Sequence, residues 1–290
     1  NCKSAADCVD KNLCTDDVCG SGKCANPVNS KACDDGNSCT VGDICSGGKC
    51  VAGITTVVST LAGNGQAKHV DGKGSAASFY NPRGVEVDGK GGVWLADGHN
   101  HRIRHVAGDG TVTTVAGLGV AGFGDGPANQ AIFSTPGDVA PNAAGQVVVA
   151  DTSNHRIRLV DPVKKTVSTL AGSNAAFKDG PLEQARFYNP YSVAVGSQGA
   201  IHVADCSNHR VRVIHPSGNV LTLAGGVAGY VNGKGSAARF NCPIGVAVDG
   251  AGNVVVSDYS NHAIRRVAAD GTVVTIGGTG KAGYQDGAAA

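Results

Sequence analysis

The chain has 290 residues, a formal net charge of +1 and an aromatic content of 4%. A charge balance this close to neutral argues against a nucleic-acid-binding surface, which needs a basic patch, and it does not favour acidic partners. No run of about 18 apolar residues could span a membrane. The 44 glycines and the lack of a sustained helical period favour short strands joined by many turns.

Residues 1–50 form a cysteine-rich segment that we expect to be mostly irregular. It holds nine of the eleven cysteines, and two tandem units, residues 8–24 and 33–50, overlay with four cysteines each. Units this small bury too little apolar surface to fold unaided, so we expect disulfides, each stabilising by roughly 3 kcal/mol for a loop of about 15 residues. The pairing within the units stays open. The predicted disulfide cysteines are Cys8, Cys14, Cys19, Cys24, Cys33, Cys39, Cys45 and Cys50.

Metal binding is the alternative role for a cysteine-rich segment of this kind. Zinc is disfavoured because the first fifty residues contain no C-x-x-C pair and no histidine. We expect no cofactor, and a bound calcium ion is the less favoured alternative. Asp34, Asp35, Asn37 and Asp43 could supply oxygens, but these residue types also make tight turns, and no twelve-residue loop with a closing glutamate is present.

The cysteines also bear on where the protein is found. Disulfides persist in oxidising compartments, so the segment predicts an extracellular or cell-surface location. Eight cysteines fill the two units and leave Cys2 without a partner there. Together with the absence of methionine, this predicts a mature or incomplete piece of a longer secreted polypeptide.

Residues 53–290 consist of a repeat. Four Asn-His pairs recur at spacings of 54, 54 and 53 residues, and a period of this size is typical of propellers or solenoids. The second copy contains four short strand-like runs, "GDVAP" from Gly137, "QVVVAD" from Gln146, "RIRLV" from Arg156 and "TVSTLAG" from Thr166. These runs predict a four-stranded antiparallel meander, which is the blade of a β-propeller.

The repeat resembles the NHL-repeat family of β-propellers, in which a strand, a glycine turn and a second strand ending in Asp precede Asn-His-Arg. The resemblance implies an all-β propeller that begins with an outer strand at 54–61 and has four complete blades here. It breaks off within the fifth repeat, and five or six blades are implied in the parent protein. The segments that carry the resemblance are "GVEVDGKGGVWLADGHNHRIR", "GDVAPNAAGQVVVADTSNHRIR", "YSVAVGSQGAIHVADCSNHRVR" and "GVAVDGAGNVVVSDYSNHAIR".

The Asp, Asn-His and Arg residues of the repeat look like a catalytic set, but a catalytic site needs only one copy. Because these residues recur in every copy, we interpret them as structural, with the Asp accepting turn N–H groups and the Arg pairing with carboxylates or carbonyls between blades. The predicted structural residues are Asp97, Asn100, His101, Arg104, Asp151, Asn154, His155, Arg158, Asp205, Asn208, His209, Arg212, Asp258, Asn261, His262 and Arg265.

The connections between blades are about twenty residues long, which is unusual for loops without a purpose. All the phenylalanines lie in them, so we expect ordered loops that pack on a blade and together form a candidate interface. The phenylalanines are Phe79, Phe123, Phe133, Phe177, Phe187 and Phe240.

Residues that break the repeat are where a specific function is expected. Cys206 and Cys242 replace non-cysteine residues near the same end of neighbouring blades. We predict a disulfide between the third and fourth blades, with two free thiols as the alternative. Trp94 and His202 occupy a position held elsewhere by valine, and His69 stands where other connections have Phe or Tyr. We interpret all three as packing variants.

These observations favour a non-enzymatic structural or interaction module. Its propeller-face loops and cysteine-rich arm would serve as interfaces in a cell-surface or fibrous assembly that includes protein partners, among them copies of itself. The alternative is a receptor-like monomer that binds a protein or a glycan. A propeller lyase or hydrolase with a channel metal is disfavoured, because the inner strands contain no histidine and the exceptional histidines show no converging spacing.

Overall fold

The structure is a computed structural model that describes residues 58–284 and six short strands between Val18 and Thr55. The chain forms two compact units, Asn1–Thr60 and Leu61–Ala290. Within the described residues all regular structure is β apart from three-residue 3-10 turns, which confirms the predicted all-β class. No helix of the described residues has the length and apolar character needed to span a membrane.

The first unit contains three two-stranded antiparallel pairs. They are β1 (Val18–Gly20) with β2 (Lys23–Ala25), β3 (Thr40–Val41) with β6 (Ile54–Thr55), and β4 (Ile44–Ser46) with β5 (Lys49–Val51). Strand β6 pairs with β3 through one of its edges, and the outer blade strand expected at 54–61 stays a prediction. The predicted cysteine pairing and the calcium alternative concern side chains outside the described residues.

The second unit consists of four five-stranded antiparallel sheets, which are the blades of the propeller. Blade 1 contains β7 (Gly72–Lys73), β8 (Pro82–Val87), β9 (Val93–Asp97), β10 (Arg102–Val106) and β11 (Thr111–Ala116). Blade 2 contains β12 (Gly126–Pro127), β13 (Asp138–Pro141), β14 (Val147–Asp151), β15 (Arg156–Asp161) and β16 (Thr166–Gly172).

Blades 3 and 4 follow the same plan. Blade 3 contains β17 (Gly180–Pro181), β18 (Pro190–Val195), β19 (Ile201–Asp205), β20 (Arg210–His215) and β21 (Asn219–Gly225). Blade 4 contains β22 (Gly233–Lys234), β23 (Pro243–Val248), β24 (Val254–Asp258), β25 (Ala263–Val267) and β26 (Thr272–Gly277). The 3-10 turns are Gly74–Ala76, Gly98–Asn100, Thr152–Asn154, Cys206–Asn208, Gly235–Ala237 and Tyr259–Asn261.

Each blade has one strand more than the repeat predicts. The additional strand is a two-residue piece of the connection, such as β12, which pairs with the outer strand of the blade that follows. The connection is therefore held on the following blade by backbone hydrogen bonds, as expected for ordered loops. The four main strands of blade 2 begin and end within one residue of their predicted limits.

Burial on both sides of the inner strands explains their composition. Val147, Val148, Val149 and Ala150 are all fully buried in β14, because side chains alternate between two faces and each face packs against a neighbouring blade. The core is consequently divided into clusters that lie between successive blades.

Candidate functional site

A buried ionic network lies at the end of one strand in every blade, the strand that ends in Asp. These strands are β9, β14, β19 and β24. In blade 2, Oδ1 of Asp151 accepts the backbone N–H of Ser134 at 2.8 Å. Its Oδ2 accepts Nδ2 of Asn154 at 2.8 Å and Nη1 of Arg158 at 2.6 Å. Asp151 and Arg158 are both completely buried. The corresponding trios are Asp97, Asn100 and Arg104, then Asp205, Asn208 and Arg212, then Asp258, Asn261 and Arg265.

Each arginine has a second side-chain partner that sequence reasoning missed. Nη2 of Arg158 donates to Oδ1 of Asp125 at 2.6 Å, and Asp125 lies in the connection 33 residues earlier. The spacing is the same in all four blades, so an Asp or Asn followed by Gly at this distance was the signal available in the sequence. The four partners are Asp71, Asp125, Asp179 and Asn232.

The histidine of the Asn-His pair connects one blade to the next. His155 adopts a left-handed backbone conformation with φ of 57°. Its Nδ1 accepts the backbone N–H of Asn189 at 3.2 Å, in the connection that enters blade 3. Burial lowers the pKa of His155, which favours the neutral ring that this bond requires. His101 bonds Thr135 and His209 bonds Cys242 in the same way, so this histidine is committed to a structural contact.

A disulfide joins Cys206 to Cys242. Cys206 opens the 3-10 turn after β19 of blade 3, and Cys242 immediately precedes β23 of blade 4. The covalent link therefore runs beside the contact between His209 and Cys242, across the same pair of blades.

A cleft of about 360 Å³ lies between the inner strands β8, β13, β18 and β23. One position of its lining differs between the blades. Asp138 lies there at the position that Gly84, Ser192 and Gly245 hold in the other blades. The Asp138 carboxylate accepts Ser192 Oγ at 2.6 Å, and it also accepts two backbone N–H groups. Burial nevertheless raises the pKa of Asp138 to about 6, which makes this cleft a candidate site for proton-dependent binding.

We expect Ser192→Ala to raise the pKa of Asp138 further, by roughly one unit, because a hydrogen bond to the carboxylate is lost. A carbon-13 NMR titration of the Asp138 carboxyl group would measure the change. Asp88 provides the control, because its pKa of about 2 depends on His105 and nearby backbone N–H groups. An unchanged Asp138 pKa would contradict the assigned bond.

The same titration has a consequence for stability. The folded-state pKa of about 6 lies above the ordinary value of 3.8. The stabilisation from Asp138 is therefore complete below about pH 4 and is lost as the pH rises through 6.

The phenylalanines divide into two groups. Phe133, Phe187 and Phe240 are completely buried between blades, which corrects their prediction as interface residues, since they have no surface to offer. Phe79 is half-buried. Phe123 and Phe177 remain 46% and 44% exposed.

The exposed phenylalanines stack on arginines. The guanidinium of Arg156 lies 3.9 Å from the ring centre of Phe123, and that of Arg210 lies 3.8 Å from the ring centre of Phe177. Both pairs lie beside the Asn-His turns of their blades, since Asn154 donates to the carbonyl of Gly122. We call this end of the blades the Asn-His end.

The three predicted packing variants have different surroundings. Trp94 packs against His105, with 4.7 Å between ring centres, and against the core between blades 1 and 2. His69 is exposed and its Nε2 bonds Oγ1 of Thr114 at 2.8 Å. The Nδ1 of His202 is buried and has no hydrogen-bond partner within the part of the chain that the structure describes. Among the described residues, no group of three or more His, Cys, Asp or Glu side chains is placed to hold a metal ion.

Comparison with protein families shows four matches to the family described as NHL repeat, at residues 79–106, 133–158, 187–214 and 240–267. Each match runs from a connection phenylalanine into the strand that follows the Asn-His turn, which is β10, β15, β20 or β25. This confirms the predicted NHL-type propeller.

Three curated relatives illustrate the range of proteins to which this chain is similar. The chain is 33% identical to the chloroplastic protein Suppressor of Quenching 1 of Arabidopsis thaliana, over 56% of this chain and 16% of the relative. It is 31% identical to NHL repeat-containing protein 2 of Bos taurus, over 73% and 34%. It is 30% identical to a probable peptidyl-alpha-hydroxyglycine alpha-amidating lyase of Caenorhabditis elegans, over 53% and 42%. The chain thus matches less than half the length of each.

These relatives overturn one prediction. The extracellular or cell-surface location inferred from the cysteines is wrong by this comparison, because the matched proteins include a chloroplastic one and NHL repeat-containing protein 2. The physical reason is that cysteine content indicates an oxidising compartment only through actual pairing. The side chains of the cysteines that carried the prediction, in residues 1–50, lie outside the described residues.

Proposed function

We propose, from a chain that carries four NHL repeats folded as propeller blades, that this protein is a non-enzymatic interaction module that binds another protein through the Asn-His end of its blades. The observation that carries the proposal is the pair of stacked, half-exposed Arg–Phe contacts, Arg156 on Phe123 and Arg210 on Phe177.

The chemistry of these pairs suits a protein contact. Arginine and aromatic residues dominate the binding energy of protein interfaces, and a guanidinium held on a ring has already lost much of its freedom before binding. Arg156 also donates to the carbonyl of Asn154 at 2.6 Å, which further restricts it. Tyr188 adds a further aromatic ring, packed edge-on against His155 and 43% exposed.

The pairs differ between blades, so the surface is not uniform. Blade 1 has His69 and blade 4 has Tyr230 at the ring position, and blade 4 has Ala263 in place of the arginine. Of the four described blades, only blades 2 and 3 present a half-exposed phenylalanine stacked on an arginine. We infer that a partner protein would contact these two adjacent blades.

The double variant Phe123→Ala/Phe177→Ala is expected to weaken binding of the partner about thirtyfold, which corresponds to about 2 kcal/mol at an interface hot spot. The partner would be recovered with the intact chain from its own source, and its dissociation constant measured with purified proteins. Val163→Ala is the matched control, since Val163 is 87% exposed in the turn after β15, away from the Asn-His turns. Equal weakening by both variants would contradict the proposal.

Light scattering of the purified chain tests the finer alternative that the partner is a copy of itself. Growth into polymers that the double variant abolishes would assign self-assembly to this surface. A monodisperse chain that binds a different protein or a glycan would assign a receptor-like role.

A lyase is the second candidate, and Asp138 is the observation that favours it. A carboxyl group with a pKa of about 6 inside a cleft has the properties of a general acid or base. One relative is a probable peptidyl-alpha-hydroxyglycine alpha-amidating lyase. Cleavage of a peptidyl-hydroxyglycine by the wild-type chain, but not by Asp138→Asn, would replace the non-enzymatic proposal.

A further inference from the structure

The Asn-His end of the blades carries arginines that have no carboxylate partner among the described residues. Arginine follows the Asn-His pair in three blades, as Arg102, Arg156 and Arg210. Each side chain is half-buried, and its Nη1 donates to the carbonyl of the asparagine two residues earlier, at 3.1, 2.6 and 2.7 Å. Within residues 58–284 none of the three forms an ion pair with Asp or Glu.

The nearest carboxylates already bond another arginine. In blade 2, Asp151 and Asp125 both bond Arg158, at 2.6 Å each. Burial and then the neighbouring Arg158 lower the pKa of Arg156, and the two carboxylates oppose this only in part. The same causes lower the pKa of the corresponding arginines in blades 1 and 3. A positive charge that costs free energy in this place is stabilised when a carboxylate binds beside it.

Cations at the opposite end of the blades are paired. Lys73 bonds Asp109 at 2.9 Å in blade 1, and Lys234 bonds Asp270 at 2.9 Å in blade 4. Both carboxylates lie in the turn that joins the last two main strands of their blade. The unpaired guanidinium groups are therefore a feature of the Asn-His end, and the formal net charge of +1 does not reveal this distribution.

The guanidinium groups are held in place but keep free donors. Arg156 lies flat on the ring of Phe123, and its hydrogen bond to Asn154 is the only one it makes within the described residues. A guanidinium has five N–H donors, and two of them on one edge match the two oxygens of a carboxylate. Because the ring and the carbonyl already restrict Arg156, a carboxylate would bind it with little further loss of side-chain entropy.

The surroundings of these arginines are apolar. Leu118 and Val120 are about half exposed, and the carbonyl of Leu118 accepts Nη2 of Arg102 at 2.9 Å. One face of Phe123 and of Phe177 is covered by a guanidinium, so these rings offer less area for stacking nucleic-acid bases. Nucleic-acid affinity also grows with the number of phosphates neutralised, and three arginines are few for that purpose. The surface suits carboxylates that alternate with apolar side chains.

We infer that the Asn-His end of blades 2 and 3 binds an acidic segment of a partner protein, in which Asp or Glu residues alternate with apolar ones. This inference rests on the proposed function and names the chemistry of its partner. Arg156 and Arg210 each bind one carboxylate through two N–H groups, and Arg102 extends the surface to blade 1. Apolar side chains of the segment cover the exposed area of Leu118 and of the phenylalanine rings.

The probe is a peptide of about twelve residues that repeats Glu-Leu-Gly, which extends up to about 40 Å and can cross three sheets packed about 10 Å apart. Calorimetric titration of the intact chain at low salt is expected to give a dissociation constant below about 100 μM. The matched peptide that repeats Gln-Leu-Gly should bind at least about tenfold more weakly, because it lacks the charge. Added salt should weaken only the acidic peptide.

Two variants that remove the same kind of charge locate the site. Arg156→Gln/Arg210→Gln should weaken binding of the acidic peptide about tenfold, and glutamine can still donate to the backbone carbonyl. Arg266→Gln is the matched control, because Arg266 is exposed near the opposite end of β25. It should leave the affinity unchanged.

A charge reversal separates recognition from folding. Arg156→Glu/Arg210→Glu should lose the acidic peptide and gain binding of a peptide that repeats Lys-Leu-Gly, which a misfolded chain would not do. The inference would be overturned by equal affinities for the Glu and Gln peptides, by equal weakening in Arg266→Gln, or by tighter binding of a uridine oligonucleotide than of the acidic peptide.

The proposed function fails on a different observation. If the acidic peptide does not bind but Phe123→Ala/Phe177→Ala still loses the recovered partner, the acidic chemistry alone is wrong. If that double variant keeps the partner at full affinity, the proposed interface is wrong, whatever the peptides show.

Discussion

Arg158→Met is expected to lower the free energy of unfolding by about 3–5 kcal/mol, the cost of leaving a buried carboxylate without its partner. Asp151 is completely buried and receives its shortest hydrogen bond, at 2.6 Å, from Arg158. Methionine can fill the space of the Arg158 side chain, but it cannot compensate the negative charge of the Asp151 carboxylate. Urea unfolding monitored by circular dichroism would measure the loss.

Asp125→Asn is the matched control for this variant. It copies blade 4, where Oδ1 of Asn232 accepts Nη2 of Arg265 at 2.8 Å, so a loss of about 1 kcal/mol or less is expected. If Arg158→Met were no more destabilising than Asp125→Asn, the buried Asp151–Arg158 pair would not be what stabilises the Asn-His turn of blade 2.

The pH dependence gives an independent check on the same pair. Burial raises the pKa of Asp151, and the guanidinium of Arg158 opposes that rise. Without Arg158 the carboxyl group takes up a proton more readily in the folded state. The penalty of Arg158→Met should therefore be largest near neutral pH and should shrink as the pH falls and the carboxyl group becomes neutral. A penalty that grows on acidification would have the wrong sign for this explanation.

Removal of the disulfide has the second-largest expected effect. Cys206 and Cys242 are 36 residues apart, and a loop of this length predicts a loss of about 3–4 kcal/mol when the link is removed. The double variant Cys206→Thr/Cys242→Asn copies Thr152 and Asn189 at the boundary between blades 2 and 3. Asparagine also suits the left-handed backbone at Cys242, where φ is 51°.

A reductant distinguishes the covalent effect from side-chain packing. It should lower the urea midpoint of the wild-type chain toward that of the double variant, and it should leave the double variant unchanged. An identical urea midpoint for the oxidised wild-type chain and the double variant would show that the contacts between blades 3 and 4 suffice without the disulfide.

The local pattern predicted the blades well because it is repeated. Alternating apolar residues, a glycine turn and a strand-ending Asp define four strands in blade 2, and the observed strands agree within one residue. The fifth strand was missed because two residues such as Gly126–Pro127 have no periodicity of their own. They become a strand only when the outer edge of the next blade is beside them.

The candidate sites were less accessible to sequence reasoning. Asp138 differs from the glycines at its position in blades 1 and 4, but its raised pKa depends on burial by neighbouring inner strands. Phe133 and Phe123 are both connection phenylalanines, yet one is completely buried and the other is 46% exposed. Composition could not separate them, because both occupy loops of the same kind.

The sequence by itself therefore determined the repeat, the all-β class and the residues that every blade must share, since these features depend on local periodicity and on residue types that recur at a constant spacing. Only the tertiary structure decided which connection residues are exposed, which partners Arg158 has and that Nδ1 of His202 is buried. The partners of Arg158 come from its own blade and from the connection held on that blade, 33 residues earlier in the chain. The other two properties depend on how one blade packs against the next, and thus on the volumes of side chains that are distant in sequence.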